Sequence, residues 1–125
     1  TVTVGPYSCI CSNSTLMCGT HDFKTGLHLC HHNGIVEQGL YWEDITIGEH
    51  VIVGTKSTIL PGCNIDTGSR IGAHSLVNSD VLPNSIVFGI PARVMGKIKI
   101  TKNIINNTNI ILPIQYIIFN FSLYC

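Results

Sequence analysis

Residues 47–82 read IGEHVIVGTKSTILPGCNIDTGSRIGAHSLVNSDVL. Steps of six from Ile47 land on Val53, Ile59, Ile65, Ile71 and Val77, all β-branched and aliphatic. Four places after each aliphatic stand Val51, Ser57, Cys63, Ser69, Ser75 and Val81, nearly all small, and Gly48, Gly54 and Gly72 follow three of the aliphatics directly. A helix would repeat its apolar positions every 3.6 residues and a half-buried strand every 2, so a period of six fits neither. It predicts an all-β, parallel β-helix of hexapeptides, each giving one short strand and one turn. The aliphatic points into the prism and the small residue fits beside a corner. Gly, Asn and Asp accept the turn dihedrals that β-branched residues resist. Three hexapeptides close one triangular coil, so 47–64 and 65–82 form two coils. Val4, Ile10 and Leu16, with Ser8, Ser14 and Thr20 four places on, mark another over 4–21.

The 125 residues suffice for one domain with a modest core. Seven basic residues balance seven acidic ones, which leaves no basic field for nucleic acid and no acidic tail. The chain starts at Thr1 without a basic segment or an apolar run of signal-peptide type, and reads as a fragment or a trimmed product. Cysteines at 9, 11, 18, 30, 63 and 125 form no Cys-x-x-Cys pair, and are expected to be reduced thiols in a cytoplasmic protein; a disulfide framework is the alternative. Asn-x-Ser/Thr triplets at Asn13, Asn106 and Asn120 read as chance in an Asn- and Ser-rich chain.

Residues 22–46 break the six-residue register and are expected to project as a loop from a coil corner, with His21 at its root. His28, Cys30, His31 and His32 have poor chelating spacing, so no metal is expected. At the other end, 99–125 is an atypical tail whose residues 103–125 carry no charge. Its apolar run is broken by Pro113, Gln115 and Asn120, which argues against a membrane span. The expectation is a tail of little design; an element capping the β-helix, or a membrane attachment, are the alternatives.

Residues 47–98, ending in GIPARVMGKI, resemble the C-terminal half of the hexapeptide-repeat acetyltransferases. CICSNSTLMCGTHDF at 9–23 is similar to the segment that carries the catalytic histidine in colanic-acid-type and maltose/galactoside-type sugar O-acetyltransferases. The resemblance implies a left-handed parallel β-helix, residues 1–98, assembled as a homotrimer with acetyl-CoA along the groove between subunits. It implies that His21 is the general base that takes a proton from a sugar or glycan hydroxyl, with direct transfer and no acyl-enzyme. An imidazole suits that work because it titrates near neutral pH. By the same resemblance Thr55, Ala73, Asn78, Ser79, Arg93 and Lys97 contact the cofactor, and Arg93, Lys97, Lys99 and Lys102 form the only basic cluster, suited to phosphates. Ile52 replaces a Trp of many members, Asn78–Ser79 replaces a Thr-Lys pair, and the family's N-terminal coils have no counterpart here. A catalytically degenerate β-helix scaffold is the competing reading. A γ-type carbonic anhydrase needs two histidines five residues apart, and histidines at 21, 28, 31, 32, 50 and 74 contain no such pair.

Overall fold

The structure is a computed structural model in which residues 1–21 and 40–99 are described. The described chain is all strand and turn. β1 (Val2–Val4), β2 (Cys9–Ile10) and β3 (Thr15–Leu16) make the first coil, and β4 (Gly19–His21) pairs with β5 (Leu40–Trp42) as an antiparallel hairpin. The second coil is β6 (Ile45–Ile47), β7 (Ile52–Val53) and β8 (Thr58–Ile59); the third is β9 (Asn64–Ile65), β10 (Arg70–Ile71) and β11 (Leu76–Val77). A last partial coil holds Val81 and β12 (Ser85–Gly89), and β13 (Ala92–Lys97) turns back antiparallel on β12.

Equivalent strands stack in parallel into three faces, β1-β6-β9, β2-β7-β10-β12 and β3-β8-β11. The stack is the β-helix expected from the period of six, and it is left-handed, as the resemblance implies. Ile47, Val53, Ile59, Ile65, Ile71 and Val77 are all buried and line the prism axis. Burying each such side chain is worth about 1.5–3 kcal/mol, so this column holds the coils together. Ser57, Ser69 and Ser75 are buried at the corners as expected. Their hydroxyls do more than fit. Ser8 donates to the Gly48 carbonyl, Ser14 to that of Gly54, Ser57 to that of Gly72 and Ser69 to that of Leu82, at 2.8–2.9 Å, so each serine ties its coil to the next.

Three details depart from the sequence expectation. Strand β6 lies inside the helix with Ile45 fully buried, and β5 is strand as well, so the departure from the coil does not run through 22–46 as expected. Apolar alternation at Ile45 and Ile47 belonged to the core register. Secondly, Val81 is not a corner residue. It pairs with Ile65, and Val87 with Ile71, so the third coil is two residues shorter than the second and Val81 drops into the core. Thirdly, the repeat glycines are not there for turn dihedrals. Left-handed φ falls instead on Tyr7, Asn13, His50, Lys56, His74 and Asn84, and on Gly62, Gly68 and Gly89. Gly5, Gly48 and Gly54 sit where coils touch: a Cβ on Gly54 would lie 2.5 Å from the Ala73 nitrogen.

Candidate active site

His21 is the last residue of β4, exposed, and opposite Leu40 in the hairpin. The hairpin leaves the prism at the corner between β3 and β6. The Glu43 backbone N–H donates to the Cys18 carbonyl at 3.0 Å, and the Glu43 carboxylate packs on Gly62 at the same corner of the next coil. Gly62 has φ +80° and no side chain, which makes room for that carboxylate. Side chains alternate along a strand, and directly paired residues share a face. His21 and Trp42 therefore lie on one face of the hairpin, and Thr20 and Tyr41 on the other. The Glu43 carboxylate beside the Tyr41 phenol raises its pKa above the ordinary tyrosine value. Asp22, the rest of 22–39 with His28, Cys30, His31 and His32, and Lys102 lie outside the described residues.

The remaining sequence-predicted residues fall on two corners. Asn78 and Ser79 are exposed on the corner of the hairpin, after β11 and two strand spacings along the axis from His21, about 10 Å. Thr55 and Ala73 stack on adjacent coils of a different corner, between β7 and β8 and between β10 and β11. There the Thr55 hydroxyl donates to the Ser12 carbonyl at 3.0 Å, and the Thr55 carbonyl accepts the His74 N–H at 2.9 Å. His50 and His74 are corner residues with left-handed φ, and the His50 ring stacks on Tyr7 with centroids 4.9 Å apart. Arg93 and Lys97 are exposed on β13.

Ser79 and Arg93 are brought together. They line a cleft of about 120 Å³ with Val77, Asp80, Val81, Val87, Ala92 and Val94. The cleft exists because the last partial coil turns back as β12–β13 instead of laying a strand over β11. Its floor is apolar and its rim carries a hydroxyl, a carboxylate and a guanidinium. The Asp80 carboxylate accepts the Asn64 N–H at 2.8 Å, and Arg93 donates to the Ala92 carbonyl at 2.9 Å. Those bonds leave most of the guanidinium's donors for an anion. Among the described residues no group of three or more His, Cys, Asp or Glu is placed to hold a metal. Cys9, Cys11, Cys18 and Cys63 are free thiols. No helix among the described residues is long and apolar enough to cross a membrane.

Sequence reasoning missed Tyr41, Trp42, Glu43 and Asp80. The first three were hidden by the loop assignment, although the alternation of Ile45-Thr46-Ile47 showed that the register resumes before residue 47. Asp80 was hidden by the expected full-length last coil.

No family model matches the chain. Over 98 residues it is 39% identical to galactoside O-acetyltransferase of Escherichia coli, covering 78% of this chain and 45% of that protein. A chloramphenicol acetyltransferase of Morganella morganii is 43% identical over 54 residues, 43% of this chain and 26% of that one. The chain thus spans less than half the length of these relatives. A solved galactoside acetyltransferase in complex with coenzyme A superimposes with TM-score 0.64 and 35% identity, over 79% of this chain and 46% of that one. An N-acyltransferase from Bacillus cereus, solved with dTDP and coenzyme A, superimposes with TM-score 0.70 at 24% identity, over 78% of this chain and 53% of that one, and shows the shared fold.

Proposed function

We propose that this chain, a homologue of the hexapeptide-repeat acetyltransferases by sequence and by fold, transfers the acetyl group of acetyl-CoA to a hydroxyl of a sugar or glycan, with His21 as general base. The observation that carries the reading is the placement of His21. It is exposed, at the end of a strand on a rigid corner, on the same corner column as Ser79 and two coils from it. An extended pantetheine arm reaches across that interval. Its phosphates then lie toward Arg93 and Lys97, at the basic end of β13.

The chemistry balances with no other reactant. The neutral imidazole takes the acceptor hydroxyl proton as the oxygen bonds to the thioester carbonyl carbon. The tetrahedral oxyanion is held by a backbone N–H facing the groove. The C–S bond then breaks, and the imidazolium returns the proton to the departing thiolate. Thr55 and Ala73 stand on a different corner from His21, so one chain does not enclose both. A homotrimer brings one subunit's hairpin corner against the neighbour's Thr55–Ala73 column and completes the groove. The galactoside acetyltransferase relative supports the sugar acceptor, and dependence on acetyl-CoA fits a cytoplasmic protein.

Calorimetry with acetyl-CoA on the wild type and on Arg93→Ala, with assembly mass measured in parallel, tests the cofactor side. We expect micromolar binding to a trimer, weakened in the variant and more so at higher salt. Thiol release in the presence of sugar acceptors should fall about 10²–10⁴-fold in His21→Ala. A folded assembly that binds no acetyl-CoA leaves a scaffold protein and ends the enzyme reading.

A further inference from the structure

The indole of Trp42 stands two residues along its strand from the partner of His21, on the same face of the hairpin. Diagonal neighbours of this kind are about 7–8 Å apart, within reach of one ligand ring. One face of the indole is already occupied. Trp42 lies over Gly19, so closely that a Cβ on that glycine would sit 2.3 Å from two ring atoms. The other face is open: the residue is 68% exposed. A large aromatic held flat against backbone, open on one side and beside the base, is an unpartnered apolar surface at the point where the acceptor must arrive.

We propose that Trp42 is a specificity-determining residue that receives the apolar face of a hexopyranoside acceptor, an inference that rests on the sugar O-acetyltransferase reading above. The argument is one of chemistry. A pyranose is polar around its rim, but its ring C–H groups form an apolar face. That face suits an indole, while the rim hydroxyls stay free for water and for the imidazole. A ring stacked on Trp42 presents an edge hydroxyl toward His21, so the same contact that binds the sugar orients the oxygen that reacts. Galacto-configured rings suit it best, since their axial hydroxyl leaves the C–H groups at three adjacent carbons on one side. Removing the platform leaves the base and the thioester in place, so it weakens acceptor binding without touching the cofactor.

Trp42 is the only tryptophan in the chain, so its fluorescence reports this site alone. The whole protein is titrated with methyl β-galactopyranoside, with galactitol as the open-chain control, with chloramphenicol as an aromatic acceptor, and with coenzyme A. The expected result is a saturable change in emission with the pyranoside and none with galactitol. In steady-state acetyl transfer, Trp42→Ala should raise the pyranoside KM about tenfold and lower kcat by a smaller factor, with the acetyl-CoA KM within about twofold, and Trp42→Phe should restore much of the loss. Three results overturn the proposal: emission that follows coenzyme A but not the sugar, emission that follows chloramphenicol but not the sugar, or a buried and unresponsive indole covered by a second copy of the chain. Unchanged pyranoside KM in Trp42→Ala overturns it as well. Failure of the parent reading looks different: no acetyl transfer by the wild type to any acceptor, or transfer indifferent to His21→Ala. The titration does not depend on turnover and still decides the role of Trp42.

Discussion

Replacing Gly54 by alanine isolates the contact that sets the spacing between coils. A new Cβ there would stand 2.5 Å from the Ala73 nitrogen and 2.8 Å from both the Gly72 carbonyl carbon and the Ile71 oxygen. All three are backbone atoms of the next coil and cannot rotate away. Relief requires the two coils to part, which stretches the 2.8 Å bond from the Gly54 N–H to the Ile71 carbonyl. Overpacking of this kind costs about 1–3 kcal/mol, and weakening that hydrogen bond adds about 1 kcal/mol. The unfolded chain loses entropy on the Gly→Ala change, which offsets about 0.4–1 kcal/mol. The net expectation is a loss of about 2–3 kcal/mol, or about 10–20 °C in Tm for a domain of this size. Gly96→Ala is the control, because nothing lies within 4 Å of its Cβ position. It should leave Tm unchanged or raise it slightly. Gly72→Ala falls between, since its obstacle is the ring of Phe88, half exposed and able to swing aside. Thermal melts by circular dichroism at matched protein concentration give the order Gly96→Ala above Gly72→Ala above Gly54→Ala. A Gly54→Ala variant as stable as Gly96→Ala would refute close coil contact as the reason for the repeat glycines.

Ser57→Ala should lower stability by about 1–2 kcal/mol in urea denaturation, because the buried hydroxyl donates to the Gly72 carbonyl at 2.8 Å and accepts the Ser75 N–H at 3.4 Å. An unchanged midpoint would reduce the buried serines to space-fillers. Cys63 is buried and its thiol is pushed above its ordinary value by that burial, so maleimide at pH 8 should label exposed Cys9 in the folded protein and reach Cys63 only on unfolding, as read by peptide mass mapping. With the folded value raised, the thiol's contribution to stability is whole below the unfolded value of 9.0 and is lost as the pH rises through the folded one; Cys63→Ala should therefore flatten the alkaline fall in the urea midpoint.

The inward column from Ile47 to Val77 was legible because β-branched aliphatics at a fixed interval admit one burial pattern, and the structure buries every one. Legibility ended where spacing changes. A coil shortened by two residues looks in sequence like the same repeat with an imperfect member, so Val81 was read as a corner and the cleft beside it was invisible. The left-handed corner positions were hidden for another reason. Tyr7, His50, Lys56 and His74 take φ of 54–60°, a conformation their side chains resist, because the stacking of the coils fixes the backbone. Residue type did not announce it. Among the site residues, Ser79 and Arg93 were placed by resemblance and do line one cleft, whereas Trp42 sat in a stretch read as loop.

The two corners explain why one chain of this fold reads as part of a site. Along one column the structure sets His21, Ser79 and Asp80; along another, Thr55 and Ala73. Strands of two residues between sharp turns keep these columns apart by the width of a prism face, and the buried aliphatics make that width rigid. A flexible protein could fold one column onto the other. This one cannot without opening its core, so a thioester and an acceptor can meet residues of both columns only if a second prism supplies the missing edge. Under the proposed reading the acceptor contact is carried instead by the hairpin. Its strands are free of the six-residue register, so Trp42 can be changed without disturbing a single coil, and acceptor choice can vary while the stacked scaffold remains as it is.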